Sequence, residues 1–182
     1  MNERMKEETN SLNTNGETQI TNRGLVETLS LGYVLSFRRH LAHRPEAVWR
    51  FITEPEKLKT WLAKAQIELQ TGGGIDLRYD TGYVAKGTIK RLLPNALLEY
   101  TWWGGDEPES LLRWELKADG ESGTWLSLIH SYEHRCDLPK ILSGWHVHLD
   151  MLATALDGKP AVWSWESWER EIANYTAATQ HV

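Results

Sequence analysis

Six apolar segments separated by short turn-forming stretches fill the centre of the sequence. They comprise residues 65–70, 75–80, 83–92, 96–103, 111–118 and 124–132. Stretches such as TGGG, DTG, LPN and ADGESG connect them, and these residue types are typical of tight turns. Connections this short join neighbouring antiparallel strands, so the pattern predicts a meander in one curved sheet.

The last two predicted strands show that one face of this sheet is apolar. In LLRWELK, residues 111–117, apolar and charged side chains alternate, and TWLSLIHSY, residues 124–132, also has period two. Successive side chains of a strand point to opposite faces, so the apolar set of each strand shares one face. That face needs a cover.

The segment after the sheet predicts an amphipathic helix over about residues 138–157. Its apolar side chains recur at spacings of four and three residues: Leu138, Leu142, Trp145, Leu149, Leu152 and Leu156. The stretch DGKP favours a helix end, and a second periodic stretch predicts an extra short helix over about 161–176. The long helix is the element that we expect to cover the sheet.

The sequence before the meander predicts one strand and two short helices. The strand runs from about Thr28 to Leu41, and the helices start near Pro45 and Pro55, since proline suits a first helical position. Residues 1–26 are polar and aperiodic, which predicts a disordered tail. We therefore expect a single α+β domain over 27–178, with six to seven antiparallel strands around the long helix.

These motifs, in this order, resemble the START-like (SRPBCC, helix-grip) superfamily, specifically the activator of heat-shock protein 90 ATPase homologue family. The resemblance covers about residues 30–157. It includes TGGGIDLRY, LEYTW and GTWLSLIHS, and it rests most on Arg39, Pro45, Glu46, Val48, Trp49, Pro55, Glu56, Leu58 and Trp61. The Trp-rich stretch with Trp163, Trp165 and Trp168 departs from that pattern.

The resemblance implies a cavity between the sheet and the long helix that takes hydrophobic or aromatic small molecules. From the predicted faces, the wall would comprise Tyr100, Trp102, Trp114, Leu126, Leu128, His130, Trp145 and Leu149. His130 is the polar member within the apolar alternation of its strand, and Arg39 and Tyr132 are candidates for orienting a polar group of the ligand. A closed core without a cavity is the alternative.

The stretch SGWHVHLDML looks like a metal site because it holds His146, His148 and Asp150. Residues two apart on a helix diverge by about 200°, so the two histidines cannot bind one zinc ion. His146 and Asp150, four apart, can pair on a solvent-facing side. The interpretation is a helix with its histidines mostly outside, and no metal site is expected.

Composition excludes several other functions. The single cysteine, Cys136, permits no internal disulfide, and the net charge of −5 gives no electrostatic footprint for nucleic acid. No apolar run is long enough to span a membrane, which predicts a cytoplasmic protein. No nucleophile motif, phosphate loop or acid–base pair stands out, so no cofactor or catalytic residue is expected.

Three functions remain open. The first is binding of a small hydrophobic or aromatic molecule, and the second is a cyclase, dehydratase or hydrolase reaction in the same cavity, which the superfamily also contains. The third, a chaperone partner, is suggested by the family name alone and is not expected, since a short polar tail precedes the domain. Exposed tryptophans such as Trp103 and Trp125 could also form a homodimer interface.

Overall fold

An eight-stranded antiparallel sheet dominates the computed structural model, which describes residues 22–105 and 108–182. The spatial order is β1-β2-β8-β7-β6-β5-β4-β3. The strands are β1 Leu25–Thr28, β2 Tyr33–Leu41, β3 Lys64–Ile67, β4 Gly74–Arg78, β5 Val84–Leu93, β6 Leu97–Trp102, β7 Ser110–Asp119 and β8 Gly123–Tyr132. The predicted meander is confirmed, because β3 to β8 lie side by side in sequence order.

The strand count is higher than the predicted six to seven, because the first predicted strand is a hairpin. β1 and β2 pair antiparallel and are joined by residues 29–32, where Leu29 N–H donates to the carbonyl of Gly32 at 2.9 Å. A Cβ at Gly32 would lie 1.9 Å from the Tyr132 carbonyl oxygen, so a side chain is excluded there. Glycine thus permits the close approach of the turn to the end of β8.

Four helices complete the described fold: α1 Pro45–Thr53, α2 Pro55–Leu58, α3 Leu138–Leu156 and α4 Trp165–Ala178. Pro45 and Pro55 stand at the first helical positions, as predicted. α3 begins after Asp137, whose side chain accepts a hydrogen bond from Lys140 N–H, and ends before Gly158, which has φ +73°. α4 starts four residues later than predicted.

Ordered structure begins before the predicted domain boundary at residue 27. Leu25 and Val26 belong to β1, and the Gly24 N–H donates to the Tyr175 hydroxyl of α4 at 2.8 Å. Residues 1–21 of the predicted tail lie outside the described residues. The first described residues are therefore part of the fold, tied both to the sheet and to α4.

One face of the sheet packs against α3 and forms the core. Every second side chain of β2, β7 and β8 is buried there, together with the apolar stripe of α3 that includes Leu142, Trp145 and Leu149. Trp49 of α1 and Trp61, just after α2, join this core, and the Trp61 Nε1–H donates to the Phe51 carbonyl at 2.9 Å. This arrangement is the helix-grip fold. In the described part of the chain, no helix has the length and apolar character needed to cross a membrane.

Candidate ligand-binding site

Five predicted wall residues form one aromatic cluster between the sheet and α3. Ring centroids are 5.6 Å apart for Trp102 and Trp145, 5.7 Å for Trp114 and Trp145, and 6.0 Å for His130 and Trp145. Tyr100 joins through Trp102 at 6.3 Å and accepts a hydrogen bond from Trp114 Nε1–H at 3.4 Å. The three Trp145 contacts are edge-to-face, a favourable geometry for rings. Leu126, Leu128 and Leu149 are buried in the same core.

A chain of hydrogen bonds fixes the tautomer of His130. Trp145 Nε1–H donates to His130 Nδ1 at 3.1 Å, so Nδ1 is the acceptor and Nε2 carries the proton. Nε2 then donates to Ser110 Oγ at 2.9 Å, and that hydroxyl donates to the Trp102 carbonyl at 3.0 Å. The hydroxyl of Tyr132 also lies 3.0 Å from Nδ1. His130 is therefore held in place from both of its ring nitrogens.

His130 stays neutral at physiological pH. Burial in this apolar surrounding, with a smaller contribution from nearby His134, lowers the pKa of His130 to about 3. The neutral ring offers one acceptor and one donor, which matches the two hydrogen bonds that it makes. Both ring nitrogens are therefore used within the cluster, and proton exchange near pH 7 is disfavoured.

The two candidate orienting residues lie at different places. Tyr132 stacks against His130 with a centroid distance of 4.3 Å. Arg39 pairs in register with Leu126, whereas His130 pairs with Leu35, so four residues of β2, roughly 13 Å, separate them. The structure therefore joins Tyr132, and not Arg39, to the aromatic cluster.

Arg39 belongs to a second buried polar group between β2, α3 and α4. Its Nη2 lies 3.7 Å from Asp150 Oδ1, and no described residue accepts a hydrogen bond from Nε or Nη2. Burial lowers the pKa of Arg39, opposed by Asp150 and Tyr175. The guanidinium is thus desolvated with weak compensation.

We expect Arg39→Met to raise the free energy of unfolding by about 1–4 kcal/mol, because an apolar side chain of similar length removes the desolvated charge. Its partner Asp150 is 59% exposed and can be hydrated alone. Urea unfolding measures the change.

The matched control is Arg113→Met on the outer sheet face. Arg113 Nε donates to Glu99 Oε2 at 2.6 Å, and Glu99 is only 8% exposed. Because Glu99 loses its ion-pair partner, Arg113→Met should lower the free energy of unfolding by about 2 kcal/mol. The loss is smaller than for a fully buried pair, because Arg113 is 30% exposed. Equal destabilisation by both variants would contradict the account of Arg39.

The histidines of SGWHVHLDML are less exposed than predicted. They do point to different sides of α3, and the predicted His146–Asp150 pair is present at 3.7 Å. However, α4 covers His146, whose Nδ1 lies 2.9 Å from the Tyr175 hydroxyl, and both histidines are at least half-buried. The prediction that His146 faces solvent was wrong, because a second layer packs on the far side of α3.

His148 is the centre of a further aromatic group. Its ring centroid lies 4.9 Å from Trp163, 5.8 Å from Tyr79, 6.3 Å from Trp145 and 6.5 Å from Trp61. Burial lowers the pKa of His148 to about 4, partly offset by the hydrogen bond of its Nδ1 to the Trp61 carbonyl. Through Trp145, this group is continuous with the inner cluster.

Where the cavity was predicted, the rings of Trp102, Trp114 and His130 lie in contact with Trp145. Two open depressions of about 400 and 340 Å³ lie elsewhere, one at β3–β4 beside Ile67 and Ile75 and one on the outer face beside Trp125. A ligand that enters the inner cluster must therefore displace side chains. Among residues 22–105 and 108–182, no three His, Cys, Asp or Glu side chains could hold a metal ion.

Sequence reasoning missed Ser110 and the importance of His148. Ser110 continues the alternation of Leu112 and Trp114 on β7, so the period-two pattern already placed its side chain on the covered face. His148 lies beside Trp145 on the predicted helix, which placed it at the border of the buried stripe, but its contacts with Tyr79 and Trp163 come from segments distant in sequence.

The family model for "Activator of Hsp90 ATPase homolog 1-like protein" matches residues 42–157, well over half of the chain. The chain belongs to this family. The match spans α1 to the end of α3 and leaves α4 and the segment before it outside. A comparison with curated proteins gave no match.

Solved structures show the same fold. The crystal structure of CalU16 from Micromonospora echinospora is 22% identical, with a TM-score of 0.71 over 88% of this chain and 98% of that one. DynU16, a putative protein in the dynemicin biosynthetic locus, is 22% identical with a TM-score of 0.66, over 71% and 49%. The Aha1 dimer from Colwellia psychrerythraea is 22% identical with a TM-score of 0.58, over 68% and 95%.

Proposed function

We propose that this family member binds a small hydrophobic or aromatic molecule between the sheet and α3. The observation that supports this most is the aromatic cluster around Trp145, which contains one neutral, hydrogen-bonded histidine, His130. Binding sites for small molecules are mostly apolar, with a few fixed polar groups that set the orientation of the ligand. The cluster has that composition.

The proposed entrance is at Trp102. This side chain is half-buried, lies against Trp145 and His130 on its inner side, and donates from Nε1 to the Tyr83 hydroxyl at 3.3 Å on its outer side. It therefore connects the buried rings with the surface. Rotation of Trp102 would open a path without breaking the sheet.

Inside the site, Tyr132 is the proposed polar orienting group. Its hydroxyl and Trp145 Nε1–H both approach His130 Nδ1, which has a single lone pair. The Tyr132 hydroxyl thus lies at the polar edge of the cluster, 3.0 Å from His130 Nδ1, and a polar group of the ligand that enters beside His130 would contact it. Arg39 has no part in this proposal, since it lies about four residues along β2.

The test is ligand-detected NMR against a panel of lipids, aromatic metabolites and biosynthetic intermediates; the last are included because DynU16 comes from a biosynthetic locus. We expect saturable binding that Trp102→Ala weakens about tenfold, equal to 1.4 kcal/mol. Trp103→Ala is the matched control, because this neighbouring side chain points to the other face and is 44% exposed.

Binding that both tryptophan variants leave unchanged would place the site elsewhere. A panel without any saturable hit would overturn the proposed function. The cyclase, dehydratase or hydrolase reaction and the homodimer stay predictions, and a chaperone partner stays unexpected.

A further inference from the structure

The segment after α3 places a tryptophan over the aromatic groups, and it lies outside the family match. The match ends at residue 157, and Gly158, with φ +73°, turns the chain back along α3. Trp163 then lies against His148 with a centroid distance of 4.9 Å. Since α4 follows directly, Trp163 belongs to the cover that this segment forms over α3.

His148, the ring that Trp163 contacts, carries a hydrogen-bond acceptor. Its Nδ1 lies 3.2 Å from the Trp61 carbonyl, and a carbonyl only accepts, so Nδ1 carries the proton. Nε2 of the neutral ring therefore has a lone pair. Around it stand Trp61, Tyr79 and Trp145, which makes an aromatic box with one acceptor.

Trp163 is a poor match for this box. Its Nε1 is buried, and no described residue accepts a hydrogen bond from it. A buried donor without an acceptor is unfavourable, although an acceptor nitrogen lies in the adjacent ring. An occupant with a better-placed donor would replace Trp163 with a gain in hydrogen bonding.

The residues around Trp163 are held less firmly than the far half of α4. Val162 and Trp165, on either side of Trp163, are exposed, and α4 is held at its far half by Tyr175, which bonds Gly24 and His146. The part that carries Trp163 can therefore move while the helix stays anchored.

We infer that Trp163 is an internal cap, and that the ligand is an aromatic molecule with a hydroxyl group. The ligand ring takes the place of the Trp163 indole against His148, and the ligand O–H donates to His148 Nε2. This inference rests on the proposed function and specifies the chemistry of the same site, because Trp145 contacts both His148 and the inner cluster.

The first experiment uses 2-naphthol, whose two fused rings resemble indole in size, and calorimetric titration of the full chain. We expect Trp163→Ala to bind 2-naphthol about tenfold more tightly than the unchanged protein, because the cap no longer competes. Val162→Ala is the control and should stay within about twofold, since this neighbouring side chain is 78% exposed.

The second experiment compares 2-naphthol with 2-methoxynaphthalene, which has the same rings and no donor. Trp163→Ala should prefer 2-naphthol by about tenfold, the upper end for one hydrogen bond. In the double variant with His148→Phe, the preference should fall to about one, because phenylalanine keeps a ring and lacks the acceptor. If that variant does not fold, the 15N shift of His148 Nε2 in Trp163→Ala should move with 2-naphthol alone.

The two experiments test separate parts of the inference, the Trp163 cap and the hydroxyl group of the ligand. Equal affinity of the unchanged protein and Trp163→Ala overturns the cap, and equal affinity for the two naphthalenes overturns the hydroxyl. Neither result touches the proposed function if Trp102→Ala still weakens a panel hit. No binding of either probe, together with panel hits of another class, overturns this inference alone.

Discussion

Replacing Trp145 by alanine is expected to lower the free energy of unfolding by about 3–5 kcal/mol. The indole is 6% exposed and contacts Trp102, Trp114, His130 and His148. Its removal leaves a cavity in the middle of both aromatic groups and takes away the donor to His130 Nδ1. Urea unfolding followed by circular dichroism measures the loss.

Two further variants separate packing from hydrogen bonding. Trp145→Phe keeps a ring and removes the N–H, so it should cost clearly less than alanine. Trp165→Ala, also a tryptophan truncation but at an exposed position, should change stability by less than about 0.5 kcal/mol. A small effect of Trp145→Ala, similar to that of Trp165→Ala, would show that Trp145 does not organise the core.

The meander could be predicted from the sequence because its signals are local. The period-two alternation and the intervening turn residues depend on neighbours along the chain. The observed β7 and β8 match the predicted strands 111–118 and 124–132 within one residue at each end. The apolar spacing of α3 is equally local. The fold followed once these elements had to cover one another.

β1 could not be predicted in this way. Three of its four side chains are exposed, so Leu25–Thr28 shows no alternation and resembles the polar tail. Its pairing with β2 depends on the turn at Gly32, which is possible only because that residue has no side chain where it meets the end of β8. Both facts concern contacts between residues distant in sequence.

Only part of the site could be predicted, because its packing also depends on contacts between residues distant in sequence. The shared strand face brought Tyr100, Trp102, Trp114 and His130 into one list, and the structure places them together with Trp145. Whether rings fill the space between them is a matter of three-dimensional packing that periodicity does not encode. The burial of His146 and His148 likewise depends on α4 and Trp163, which follow α3 in sequence.

We expect the protein to lose about 4 kcal/mol of stability between pH 7 and pH 5, about 2 kcal/mol from each of His130 and His148. Burial lowers their folded pKa values to about 3 and about 4, below the ordinary 6.5. At pH 5 both are neutral in the folded chain and mostly protonated in the unfolded chain. The unfolded state then binds more protons, so this stability is complete above pH 6.5 and decreases as the pH falls.

Urea unfolding at pH 7, 6 and 5 measures this dependence, and His130→Gln and His148→Phe should each remove about half of it. His146 adds a loss of the same sign, because burial also lowers its pKa against the opposing effects of Asp150 and Glu171. A flat profile would mean that His130 is already protonated in the folded chain at pH 5. Its Nδ1 would then be a donor facing the Trp145 N–H, and the hydrogen-bond chain from Trp145 to Ser110 could not exist.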